Sequence, residues 1–268
     1  MPDVTTRNLL FLTTAGAFTA QRRPEQMSVF KWRQLCKLAE AHKVLTFVLV
    51  GVERHARDER MNMPTEVLEQ LRKLNAETHV PPLPIEQVRL HNPWLNFKLH
   101  RILYNEHHSI DTSVETIHLL RLILFNIESL LTRGVSMQGL ISLGSFLRTM
   151  GHKADFVKLD SWLPRLHLQR MADYVGSLLV AGFCFEEEEL PFMKRLLTEA
   201  APRSFGATYF KKPFLHVTEP HSGGFIRTHF FAFMRGIKCA FAHLSHAPLE
   251  ASSCLMHHCL RSFLEIEE

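Results

Sequence analysis

Apolar residues recur at helical spacing along nearly the whole chain, and the elements follow from that rhythm. Asn8 to Ala20 predicts a first helix. Ser28 to His42 predicts a second, with Phe30, Leu35, Leu38 and Ala39 as its apolar stripe. Val44 to Val52 is ambiguous. Its β-branched content suits a strand, yet no alternating partner strand follows it, and a lone strand is unstable. Pro64 opens a helix at a first-turn position, with Val67, Leu68, Leu71 and Leu74 on one face. Pro81, Pro82 and Pro84 break the chain, and a helical pattern resumes from about Leu90 to Glu106 through Trp94, Phe97, Ile102 and Leu103.

The clearest element comes next. Thr112 and Glu115 have capping-box spacing. From Ser113 the pattern runs through Ile117, Leu120, Ile123, Leu124, Ile127 and Leu131, and Gly134 sits where a C′ residue ends a helix. Leu119, Leu122 and Phe125 fill the other faces, so this helix is expected to be the core of the fold. Met137 to Met150 forms another helix, stopped at Gly151. Asp155 is placed to cap the next, which Pro164 interrupts. A helix follows from about Leu168 to Phe183. Glu186 to Glu189 reads as an acidic turn, and Pro191 as the start of a short helix to Ala200. Pro202 to Gly224 is the longest irregular stretch. Two helices close the chain, Phe225 to His243 and Pro248 to Leu264. The expected fold is all-α: a single-domain, irregular multi-helix bundle of about nine to eleven helices, spanning 1–268, with a possible subdivision near 77–89.

Composition changes this picture little. Hydrophobic residues make up 46% of the 268 residues and charged residues 22%, an ordinary globular balance. A formal charge of +4 is too mild to argue for nucleic acid, which is read as an improbable partner. Leu9 to Phe18 is apolar and ends in small residues, but Asp3 sits where a leader would be positive, so it reads as part of the fold. No apolar run has the roughly 20 residues of a membrane span. The cysteines Cys36, Cys184, Cys239, Cys254 and Cys259 are odd in number and irregularly spaced, which fits reduced thiols and a cytoplasmic protein better than a disulfide framework. The 17 histidines are unusual, and compositional drift accounts for most of them.

The candidate chemistry is thin. Gly144-Ser145 followed by Asp155 echoes the phosphate turn and acidic strand of polymerase-β-type nucleotidyltransferases. The residue two after Asp155 is Val157, however, and the next carboxylate is Asp160. Such enzymes need two acids on one strand face, because the metal must bridge the triphosphate and the attacking hydroxyl. His243 and His246 are three apart, Cys254 and His258 four apart, and together they could supply four zinc ligands. His216, His221, His229, His257, Cys239 and Cys259 lie in the same third of the chain. The spacing matches no standard zinc module, and histidines on solvated helix faces are the simpler reading. His100 with His107-His108 reads as a surface cluster. Arg22-Arg23 and Lys211-Lys212 are too short for a phosphate track. Tyr209, Phe210 and Phe214 around Lys211-Lys212 are a weak docking signal, since loop aromatics commonly pack back onto their domain.

Parts of the chain resemble a large bacterial family of nucleotidyltransferases in which helices surround a small catalytic domain. KWRQLCKLAEAHKVL, with Trp32, Ala39 and His42, resembles the family's opening helical pair. ETIHLLRLILFNIESLLTRGVSMQGLISLGSFLRTMG and DSWLPRLHLQRMADYVGSLLVAGFCFEEEELPFM resemble the helices after the catalytic part, including the turn at Glu188 to Phe192. The segment around Pro248-Leu249-Glu250 is similar as well. The family's Lys-Gly segment and Asp-x-Asp strand have no counterpart between Pro64 and Glu115, an interval too short for the usual mixed sheet. The resemblance therefore implies the helical shell without the catalytic core, and it transfers no catalytic, cofactor-binding or metal-binding residue to this chain. The expected function is that of a non-catalytic, nucleotidyltransferase-like scaffold or interaction partner of some other protein, with no cofactor and no membrane. The enzyme question stays open and leans against catalysis. The alternatives are an active nucleotidyltransferase using Asp155 and Asp160, and a metal-binding protein using the C-terminal His/Cys set.

Overall fold

The computed structural model describes residues 2–18, 23–207, 210 and 225–264. Among the described residues there are twelve α-helices and no strand, so the fold is all-α, with slightly more helices than expected. The helices are α1 (Val4–Ala17), α2 (Val29–Ala41), α3 (Leu45–Arg54), α4 (Thr65–Glu77), α5 (Pro93–His107), α6 (Val114–Thr132), α7 (Met137–Met150), α8 (Phe156–Arg165), α9 (Gln169–Phe183), α10 (Ala200–Gly206), α11 (Phe225–Ala242) and α12 (Pro248–Leu264).

Capping residues fix most starts. The Asp3 carboxylate accepts from the Thr6 N–H at 2.9 Å, so α1 begins several residues earlier than the pattern predicts. Asp155 caps α8 as expected, and Ser28 caps α2. The cap of α6 is Ser113 rather than Thr112, because the Thr112 hydroxyl donates backward to the carbonyls of Glu106 and Ser109. Gly134 ends α6 with φ 99°, the left-handed backbone that glycine adopts without strain. Gly151, in contrast, keeps φ −56° and leads on into a short 3-10 turn.

The ambiguous segment Val44 to Val52 is helical. It forms most of α3, which turns Leu45, Val48 and Val52 inward. The reason is its partner, since α1 crosses α3 at glycines. A Cβ on Gly16 would strike the Phe47 carbonyl, and one on Gly51 the Leu12 carbonyl, so the two backbones touch. Close helix contact supplies the packing that an unpaired strand would lack.

α6 lies at the centre, as the sequence predicts, with Leu119, Leu120, Ile123, Leu124, Ile127 and Leu131 fully buried. It runs beside α7, α9 and α11. The buried Asn126 amide donates to Leu122 O at 2.9 Å and Gly139 O at 3.1 Å, which ties α6 to α7. One contiguous core holds residues from both sides of the proline-rich break, including Leu71 of α4 and Leu95 of α5.

Two further expectations fail. Pro191 opens no helix. The segment after it runs through turns and a bend, with the Lys194 N–H on the Asp173 carboxylate at 2.9 Å and the Leu197 N–H on the Ser177 hydroxyl at 2.8 Å. Helix resumes only at Ala200. Phe30 is 68% exposed, and Trp32, Leu35, Cys36 and Ala39 form the buried stripe of α2 instead. No helix among the described residues is long and apolar enough to cross a membrane.

Candidate functional site

The surface best built for recognition is the outer face of α5. The helix turns Leu95, Leu99, Ile102 and Glu106 inward, at positions i, i+4, i+7 and i+11. That leaves Trp94, Phe97, Arg101, Tyr104 and His108 on the opposite face. Trp94 is 53% exposed, Phe97 64% and Tyr104 64%, so the first two, which the sequence pattern groups with Ile102 and Leu103, part from the buried Ile102. Two apolar stripes compete in this helix, and the aliphatic one is buried.

Both ends of α5 are fixed by buried carboxylates. At the start, Asn92 caps the helix by accepting from the Trp94 and Leu95 N–H groups, both at 3.1 Å. Glu250 of α12 reaches across and accepts from the His91 N–H at 2.5 Å and the Asn92 N–H at 3.2 Å. Behind it, burial raises the Glu128 carboxyl above the usual carboxylate range. At the far end Glu106 accepts from the Ser113 N–H at 3.0 Å and from the Lys158 ammonium at 2.7 Å. That hydrogen bond is the main cause of the raised Lys158 pKa. Glu106 is the only acid in α5, and it points inward, so the outer face carries no negative charge.

Trp94 and Tyr104, two of the three rings on that face, are paired with a cation or an imidazole. The Lys98 ammonium sits 3.4 Å from the Trp94 ring centroid and donates to Arg165 O at 3.1 Å. His167, held at φ 55° just past α8, stacks on Trp94 at 5.7 Å. Tyr104 lies 4.1 Å from the His108 ring. Beside this face runs a groove of about 720 Å³ between α5, α6 and the 3-10 turn Ile85–Gln87. Leu103 and Ile117 line it, with His100, His107, Arg89 and Arg121 at its walls. Glu86, the acid on the groove, pairs with Arg121. The cluster His100 with His107-His108 thus lies on the surface, as the sequence suggests, and it belongs to this site. Trp94, Phe97 and Arg101 escaped sequence reasoning as surface residues. The available signal was the inward spacing of Leu95, Leu99 and Ile102.

The other candidates are engaged elsewhere. Gly144 is in mid-α7, where a Cβ would meet the Phe185 and Phe18 rings, so it serves packing. Asp155 caps α8 through the Val157 and Lys158 N–H groups, and Asp160 pairs with Lys194 at 3.5 Å. The two acids do not converge. Among the described residues no group of three or more His, Cys, Asp or Glu is placed to hold a metal ion. His243 is buried with its ring 4.7 Å from Tyr174, and burial lowers its pKa to about 4. Burial pushes the thiols of Cys239 and Cys254 up to about 12, which makes them poor ligands. All five cysteines are free. Phe210 packs inside the core, and its carbonyl accepts from the His42 ring at 2.7 Å. His216, His221, Arg22, Tyr209, Lys211, Lys212 and Phe214 lie outside the described residues, as does the side chain of His229.

No family model, curated protein or solved structure matches the chain.

Proposed function

We propose that this chain is a non-catalytic helical protein that works by binding another protein, as a scaffold or regulatory partner in a bacterial cytoplasm. The observation that carries the reading is the α5 face, where Trp94, Phe97 and Tyr104 stay exposed on a helix anchored at both ends. Large aromatics held in the open on a fixed helix are what interfaces use as anchors. The chemistry of the remaining polar groups supports it. Asp155 and Asp160, the acids an active nucleotidyltransferase would need, are a helix cap and half of an ion pair. The resemblance to the helical shell of nucleotidyltransferases belongs to the same proposal: a shell kept for binding, without the catalytic strand.

The test is a thermal-shift panel with each nucleoside triphosphate plus Mg²⁺, alongside a transfer assay with labelled nucleotides. The expected result is no shift and no transfer. A ligand at 100 times its Kd would raise Tm by about 5 °C. Such a shift, together with transfer that Asp155→Ala removes, would replace this reading with the enzyme.

A further inference from the structure

We propose that the outer face of α5 and its groove form a docking site for an acidic amphipathic helix of a partner protein. This rests on the interaction reading above and names the chemistry of the partner. Trp94, Phe97, Arg101, Tyr104 and His108 follow one another at alternating steps of three and four, which makes a straight ridge about 21 Å long at the rise of an α-helix. That is four turns of a partner helix packed alongside. Leu103 and Ile117 give the groove an apolar floor for the partner's aliphatic side chains.

Charge selects the sign of the partner. Lys98 and Arg101 on α5 and Arg89 across the groove present positive charge, and Glu86 is already neutralised by Arg121. A basic segment would be repelled, and an acidic one would find Arg101 at the middle of the ridge with Lys98 and Arg89 on its flanks.

The arrangement of the rings disfavours the other polyanions. A single-stranded nucleic acid binds by laying bases on open ring faces. Here Lys98 and His167 already pack on Trp94, and His108 on Tyr104, so at two of the three rings a base would have to displace the chain's own groups, and Phe97 alone is too short a platform for a strand. Leucine or phenylalanine side chains need only the exposed ring edges. An anionic bilayer is flat and would leave the groove empty.

The experiment is fluorescence anisotropy on the full chain with three probes. The first is a labelled 16-residue peptide with leucine at heptad a and d positions and glutamate elsewhere. The second is the same peptide with lysine for glutamate, and the third a labelled oligo(dT) of the same length. Binding to phosphatidylserine vesicles is followed by sedimentation. The expected result is saturable binding of the acidic peptide alone. It should weaken about tenfold or more in Arg89→Glu/Arg101→Glu and about fivefold in Phe97→Ala. These side chains are exposed, and circular dichroism checks that the variants remain folded. Three results would overturn the site: no binding of the acidic peptide, binding that ignores these substitutions, or tighter binding of oligo(dT) or vesicles. The transfer assay, run on the same preparation, separates the two levels. Failure of the peptide without transfer removes this site and leaves the interaction reading, whereas nucleotide transfer removes both.

Discussion

α3 and α5 are both rich in apolar side chains, and the protein uses them in opposite ways. In α3 the apolar residues seal a crossing with α1 so close that Gly16 and Gly51 touch the opposing backbone. Among the described residues α5 runs closely alongside no other helix, and it keeps three aromatic rings in solvent while burying a narrower aliphatic stripe. Apolar content therefore says little about burial by itself. Spacing, and what stands opposite, decide it.

The sharpest way to break this comparison is at the glycine crossing. Gly51→Leu puts a side chain where the Leu12 carbonyl already stands, and backbone cannot move aside as a side-chain tip can. We expect the variant to lose more than about 4 kcal/mol, or not to fold at all, read by urea denaturation. Gly151→Ala is the control. A Cβ there meets nothing within 4 Å and its φ is −56°, so stability should hold or rise by about 0.5 kcal/mol.

The next effect contrasts the histidines of the core with those of the α5 face. Burial lowers His42 and His243 to about 4 from an ordinary value near 6.5. The native state keeps both neutral while the unfolded chain takes up protons below 6.5, so their stabilisation is present above that pH and fades as pH falls towards 4. Each should remove about 3 kcal/mol between pH 7 and pH 4. Urea midpoints across that range will show the slope, and His243→Phe should flatten it. Acid stability that the substitution leaves unchanged would mean that burial of this ring is not what sets the slope.

How much of this was legible in the sequence follows the same division. The central helix was plain, because Leu120, Ile123, Leu124, Ile127 and Leu131 satisfy a helical period on a segment with its own stop at Gly134. The helical state of α3 was not, since β-branched residues fit a strand locally and only the α1 crossing decides. The ends of elements depended on side chains that can face two ways, as with Thr112 and Ser113. The α5 face was half visible. His107-His108 and His100 read as a surface cluster, but Trp94 and Phe97 look like core residues to any rule that counts hydrophobicity. Glu250 gave no local signal, because its partners are the His91 and Asn92 N–H groups at the other end of a long loop closure.

That long-range carboxylate gives the third effect. Glu250→Ala strips the acceptor from two backbone N–H groups at the start of α5 and unfastens the helix from α12. A loss of about 2 kcal/mol is expected, because the donors are left without a partner in a partly buried site. Glu250→Gln keeps one carbonyl oxygen and should lose about half as much. Denaturation of the two variants side by side checks the ordering, and equal losses would assign the effect to charge rather than to hydrogen bonding.

The smallest expected effect sharpens the comparison most. Phe97 is as large as many core residues, yet 64% of it is exposed. Phe97→Ala therefore creates no cavity and removes little apolar area from the fold. Stability should stay within about 0.5 kcal/mol of the parent protein, where a buried phenylalanine such as Phe183 would lose about 3–5 kcal/mol on the same truncation. Urea denaturation of Phe97→Ala and Phe183→Ala makes the contrast direct. If Phe97→Ala is neutral for folding and still weakens the acidic peptide, the ring stands in the open for a partner. If it destabilises the fold by more than about 1 kcal/mol, the ring is part of the packing of α5, and the face loses its claim to be an interface.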